Sequence, residues 1–232
     1  MLTLRCSQDM SDGNITRYLH DFGKLKVVFA MAASAEYGPQ LRQRINPVML
    51  GVGPVESAIN FSEFLCELRH YDVLPSGVVL LGSAGSRTLI QCEVYQVSSV
   101  SYRDMDASAL GFEKGCTPYL DLPPIMTLPC LFPDLPGVHL STGASVVSGN
   151  AYDGLVADMV DMETFSVLRV CQKFNVPLYV LRGVSDGSRE LSQLSDWTAY
   201  LHIIDAKLAS LVDRLRIDCE EGRVPPGSCL AV

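Results

Sequence analysis

The feature that most constrains this chain is a rhythm of short apolar runs, each closed by small or polar residues and followed by a helical stripe. Lys24–Met31, Pro47–Val52, Gly77–Leu81, Val94–Val100, Val138–Val147 and Pro177–Val184 are the runs. They are rich in β-branched residues and mostly continuous rather than alternating, the pattern of strands covered on both faces. After Gly51-Val52-Gly53-Pro54 the positions Val55, Ala58, Ile59, Ser62, Leu65 and Leu68 recur mostly at spacings of three and four, as a helix entered through a proline requires. Glu163–Phe174 reads as a second helix, and Trp197, Leu201, Ile204, Leu208, Leu211 and Leu215 as the core stripe of a long final helix. Strands alternating with helices predict an α/β fold, a single domain with a central mixed β-sheet flanked by α-helices.

A chain of 232 residues suits one such domain. The reading divides it into an N-terminal extension (1–23), a main domain (24–215) and an irregular C-terminal tail (216–232). The segment from Pro118 to Pro136 carries six prolines and is expected to be a long surface loop.

Charge and cysteine usage narrow the partners. Lysine and arginine number 18 against 26 acids, a formal net charge of −8, and no basic cluster occurs, so nucleic-acid polymers are excluded by long-range repulsion. The eight cysteines form no Cys-x-x-Cys pair and the four histidines are scattered, so no metal site and no cofactor are expected, and the thiols read as reduced. The apolar runs are too short to span a bilayer, and Arg5, Asp9 and Asp12 interrupt any leader-like segment; a soluble, cytoplasmic protein with no membrane partner is the expectation.

In open α/β sheets ligands bind beyond the carboxyl ends of the strands. The polar residues standing there are Glu36, then Ser83-Ala84-Gly85, then Asp161-Met162-Glu163, and finally Arg182 through Ser185-Asp186. Acids at a helix start also serve as caps, and Asp161 has that simpler reading.

Seven segments in order carry a resemblance to a family: Ala30-Met31, Gly51-Val52-Gly53, Gly82-Ser83-Ala84-Gly85, Tyr102-Arg103-Asp104-Met105-Asp106, Ser148-Gly149-Asn150-Ala151-Tyr152, Val160-Asp161-Met162-Glu163, and Phe174-Asn175-Val176-Pro177 leading to Arg182-Gly183-Val184-Ser185-Asp186. With these the chain resembles the 5'-methylthioadenosine/S-adenosylhomocysteine nucleosidases of the nucleoside phosphorylase superfamily. The resemblance implies hydrolysis of the N-glycosidic bond of a 5'-substituted adenine nucleoside by a homodimer. It implies Asp186 as the acid that protonates purine N7, Glu163 as the carboxylate at the ribose hydroxyls, and Met162 packing on the sugar. Ser83 and Arg182 would hold water or ribose, and Tyr152 would stack on the base beside Ala84, Gly85 and Ser185. Leu110, Phe112 and Pro118 would form an apolar wall for the 5' group across the dimer.

One position departs from the family pattern: a glutamate is expected three residues after Ala-Met, and Ser34 stands there. Glu36 is therefore taken as the water-activating base, with the loop shifted by two residues. Three alternatives stay open at this stage: a phosphorylase using phosphate through an arginine such as Arg87, a futalosine-type hydrolase, and a non-catalytic nucleoside binder.

Overall fold

A computed structural model describes residues 15–187 and 189–223. The calls on residues 1–14, on Cys6 and Cys229, and on the last part of the tail lie outside the described residues. Nine strands form one mixed sheet among them: β1 (Leu19–Phe22), β2 (Leu25–Met31), β3 (Val48–Met49), β4 (Gly77–Gly85), β5 (Val94–Tyr102), β6 (Ile125–Thr127), β7 (Gly137–Thr142), β8 (Met159–Asp161) and β9 (Leu178–Asp186). The helices are α1 (Pro39–Arg42), α2 (Pro54–His70), α3 (Thr164–Phe174), α4 (Leu194–Thr198) and α5 (Leu201–Glu220). The α/β fold with a central mixed sheet is as the sequence pattern requires.

β2, β4 and β9 run parallel as neighbours, and β9 then pairs antiparallel with β5. β5, β7 and β8 are parallel, and β8 returns to β4 through the single pair Gly85↔Val160. The strands β4, β9, β5, β7 and β8 thus close on themselves, which brings the carboxyl ends of β2, β4, β8 and β9 to one rim.

Burial on both faces explains the continuous apolar runs. On β4, Val78 and Leu80 pack with Phe61, Leu65 and Leu68 of α2 and Val167 of α3, while Val79 and Leu81 pack on the other face with Ile204, Leu208 and Val212 of α5. A strand with two covered faces has no solvent side on which to place polar residues, so period-two alternation is lost.

Several boundaries differ from the sequence reading. Gly82-Ser83-Ala84-Gly85 is the end of strand β4, paired to β9 as far as Asp186, rather than a loop. The helix expected to run through Trp197 is broken at Ala199-Tyr200 into α4 and α5. The tail expected from Arg216 continues as α5 to Glu220 with Cys219 buried, and the expected extension before Lys24 contains β1. The proline-rich segment contains the short edge strand β6. None of the described helices is long and apolar enough to cross a membrane.

Candidate active site

The shared rim encloses a cavity of about 570 Å³. Its wall includes Glu36, Ser83, Ala84, Gly85, Met162, Glu163, Ser185 and Asp186, eight of the residues singled out from sequence.

Glu36 reaches it by a turn. After β2 the chain folds back, the Glu36 N–H donating to the Ala33 carbonyl at 3.1 Å, and α1 begins three residues later. The N-terminus of α1 is anchored from outside: the buried carboxylate of Asp205 on α5 accepts from Gln40 N at 2.8 Å and Leu41 N at 3.0 Å. The Glu36 side chain then turns inward. Its Oε1 accepts from Ser83 N at 2.7 Å and Ser83 Oγ at 2.6 Å, and its Oε2 from Ala33 N at 3.4 Å. Ser34 is exposed. The two-residue shift read from the sequence thus corresponds to a turn that buries Glu36 and leaves Ser34 in solvent.

Arg182 lies fully buried beneath this floor. Its Nη2 donates to Asp161 Oδ2 at 2.6 Å and to Thr164 Oγ1 at 3.2 Å, and stands 3.8 Å from Glu163 Oε2. Burial disfavours its charge, yet the carboxylates of Asp161, Glu163 and Glu36 outweigh burial and hold it above the usual arginine value. Nε and Nη1 have no hydrogen-bond partner. Room for the guanidinium comes from Gly82: a methyl there would collide with Nη1 and lie 3.0 Å from Glu36 Oε1. Arg182 does not itself line the cavity; it supports the acids that do.

Asp161 has the role of the simpler reading together with a second one. Its Oδ2 accepts from Thr164 N at 3.0 Å, capping α3, and the same oxygen takes Arg182. Glu163 is the residue before α3, and its Oε1 accepts from Gly53 N at 2.9 Å, the glycine that opens α2. Burial and then the nearby Asp161 push the Glu163 carboxyl up to about 7, against the pull of Arg182 and the Gly53 N–H.

Asp186 owes its direction to a bulge. The β4–β9 register steps from Ala84↔Val184 to Gly85↔Asp186, so Ser185 is an extra residue and Asp186 is re-aimed at the strand end. Burial raises its carboxyl above the ordinary aspartate range, and the Ser185 hydroxyl, donating to Oδ1 at 2.5 Å, only partly opposes this.

The remaining sequence candidates lie elsewhere. Tyr152 is not among the lining residues; its hydroxyl packs behind Gly85 near Asp186, buried and without a partner, and the Arg87 guanidinium sits 5.3 Å from its ring centroid. Leu110 is 78% exposed, Phe112 makes an edge contact with Tyr119, and neither these nor Pro118 touches the cavity of its own chain. In their place Val52, Val146, Val147, Leu191, Leu194 and Trp197 supply the apolar wall. Sequence reasoning placed Trp197 in the core stripe of the final helix. The structure bears out the packing and adds to it: Trp197 packs against the core cluster of the final helix but lies on the separate helix α4, and its Nε1 donates to Ser83 Oγ at 2.9 Å. The available signal was the polar group Ser192, Gln193 and Asp196, which forms a capping box and starts a separate helix. Arg103 was also missed as a wall residue. Its guanidinium is occupied by carbonyls, Ser141 O at 2.6 Å and Asp161 O at 3.0 Å from Nη1, and Ser145 O at 2.6 Å from Nη2.

Known proteins resemble this chain in sequence and in fold. A family model described as the phosphorylase superfamily matches residues 135–215, which hold β7, β8, α3, β9, α4 and most of α5. Over that stretch the chain is similar to the phosphorylase superfamily. The chain is similar to a 5'-methylthioadenosine/S-adenosylhomocysteine nucleosidase of Exiguobacterium, 27% identical over 169 residues, covering 62% of this chain and 68% of the relative. A nucleosidase of the same name from Staphylococcus aureus is 28% identical over 164 residues, covering 61% and 69%. The fold also matches solved structures. Futalosine hydrolase of Helicobacter pylori gives a TM-score of 0.66 at 20% identity, covering 83% of this chain and 97% of that one. The Colwellia psychrerythraea nucleosidase in complex with adenine gives 0.67 at 18%, covering 87% and 97%.

Proposed function

We propose that this chain is an N-glycosidic hydrolase that releases adenine from a 5'-substituted adenine nucleoside of the 5'-methylthioadenosine or S-adenosylhomocysteine type. The observation that carries the reading is the convergence of three carboxyl groups on one cavity with different surroundings, Glu36 and Glu163 buried and Asp186 half-buried. Asp186, whose proton affinity burial raises, gives a proton to purine N7, so that the C1'–N9 bond breaks and its electron pair leaves with a neutral base. Glu163 accepts from ribose hydroxyls and, when ionised, stabilises the positive charge growing on the sugar. Glu36 takes a proton from water, whose oxygen bonds to C1'. Protonated N7 beside a 6-amino group presents two donors to the Asp186 carboxylate, whereas a 6-oxo purine sets an acceptor against it and leaves a buried pair unsatisfied.

Water is favoured over phosphate because the arginines are poorly placed to hold an anion. Arg182 does not line the cavity, Arg87 pairs with Asp153 at 2.7 Å outside the lining, and both terminal nitrogens of Arg103 are taken by carbonyls. A non-catalytic binder would have no use for an acid aimed into the cavity at Asp186 with its proton affinity raised. The homologous names support the nucleosidase reading, and the futalosine hydrolase fold match supports a related substrate with another 5' group as the second reading.

The homodimer belongs to this proposal, with Leu110, Phe112 and Pro118 reaching the partner's cavity. So does a cytoplasmic location, which the free thiols of Cys66, Cys92, Cys116, Cys130, Cys171 and Cys219 support.

The test is purine release without phosphate from a side-by-side panel. 5'-Methylthioadenosine should outrank adenosine, and adenosine should outrank inosine. Asp186→Asn should cut kcat by about 10²–10⁴-fold with an unchanged circular-dichroism spectrum. Better cleavage of a 6-oxo substrate moves the futalosine-type reading to the front, and a requirement for phosphate overturns hydrolysis.

A further inference from the structure

Trp197 is the single tryptophan of the chain. It sits in the cavity wall with its indole N–H on the hydroxyl of a residue 114 positions earlier. The indole nitrogen can only donate, which sets the direction of a three-member chain. Trp197 Nε1 donates to Ser83 Oγ at 2.9 Å, and Ser83 Oγ, with one proton to give, donates to Glu36 Oε1 at 2.6 Å. Ser83 N–H donates to the same oxygen at 2.7 Å. Oε1 is therefore doubly engaged, while Oε2 meets only the distant Ala33 N–H at 3.4 Å.

We propose that Trp197 is a positioning residue for hydrolysis: its N–H keeps the Ser83 hydroxyl turned toward Glu36 Oε1 and leaves Oε2 as the oxygen that accepts a proton from water. The assignment rests on the hydrolase reading above. A hydroxyl that receives a hydrogen bond donates more strongly, so the indole tightens the Ser83–Glu36 contact and holds the carboxylate in one rotamer. A tryptophan that merely filled the wall beside Leu191 and Leu194 would act through its ring area and owe nothing to its N–H.

Trp197→Phe separates the two, keeping an aromatic face and deleting the donor. It should lower kcat by about tenfold, the size of one hydrogen bond, with KM within about threefold of the parent. In a Ser83→Ala background, followed under single turnover with enzyme in excess, the same change should cost less than about twofold, because residues that act through one another are not additive. Equal losses in both backgrounds, or a change confined to KM, would make Trp197 a plain wall residue.

Nuclear magnetic resonance of ¹⁵N-labelled protein reads the contact without any substrate. One tryptophan gives one indole cross-peak. Ser83→Ala should shift it and speed its exchange with water, whereas Leu191→Ala should leave its exchange slow. A cross-peak that ignores Ser83→Ala overturns the proposal. Should the parent release no purine from any nucleoside, the hydrolase reading falls and takes the catalytic role with it, while the cross-peak still reports whether Trp197 holds Ser83.

Discussion

At the scale of the residue, Glu36 and Glu163 show how burial assigns different work to like groups. Glu36 is held by donors alone, and Ser34, two positions before it, faces water. Glu36→Ala should therefore lower kcat by at least about 10²-fold, while Ser34→Ala should leave steady-state kinetics near the parent. The reverse order would place the base elsewhere.

Glu163 has its carboxyl raised to about 7 from an ordinary 4.5. The folded protein thus binds this proton more tightly than the unfolded chain does. The associated stabilisation is complete below about pH 4.5 and is lost as pH rises through about 7. A glutamine at 163 stays neutral at every pH and can still accept from Gly53 N–H. Thermal melts of Glu163→Gln should match the parent near pH 4.5 and exceed it by about 4 °C or more at pH 8, while turnover falls because charge complementary to the sugar is gone. A variant that melts lower at pH 8 would mean that Glu163 is stabilising as a carboxylate, through Arg182.

At the scale of the element, the site depends on how α5 grips the turn after β2. Asp205 is buried, and its two oxygens satisfy the first free N–H groups of α1, a helix of four residues too short to persist alone. Asp205→Ala leaves both donors unpaired and should cost about 1–3 kcal/mol, at about 2–4 °C of Tm for each. Asp205→Asn, which retains one acceptor, should lose less. Glu36 lies four residues before Gln40, so a drop in kcat should accompany the loss of stability in the alanine variant. An alanine variant that melts like the parent would show that α1 is held by other contacts.

At the scale of the whole molecule, apolar side chains stand exposed where the cavity opens and on the proline-rich segment. Val52, Val146 and Leu194 rim the cavity, and Leu110, Tyr119 and Leu120 project from the segment before β6. Such patches mark association surfaces more often than they stay in water. Light scattering should report twice the 25.3 kDa chain mass. Leu110→Asp should lower that mass toward one chain and raise KM for a substrate with an apolar 5' group. A monomer of full activity would remove these residues from the site.

The sequence by itself determined the α/β class, the helices after Pro54 and Glu163, and the short list holding Glu36, Ser83, Glu163 and Asp186. Those features are local: apolar runs must be buried on both faces, a proline and glycines mark a helix start, and polar residues at strand ends have few places to go. What only the tertiary structure decided is non-local. The bulge at Ser185 that aims Asp186 is set by pairing with β4, and the break between α4 and α5 lets Trp197 line the cavity while still packing on the core. Arg182 is fully buried because Gly82, on a neighbouring strand, has no side chain, and Asp161 neutralises it from across the sheet. No window of the sequence contains both partners of such contacts. Propensity and periodicity register neighbours along the chain, while these choices were made by packing between segments some 20 to 170 residues apart.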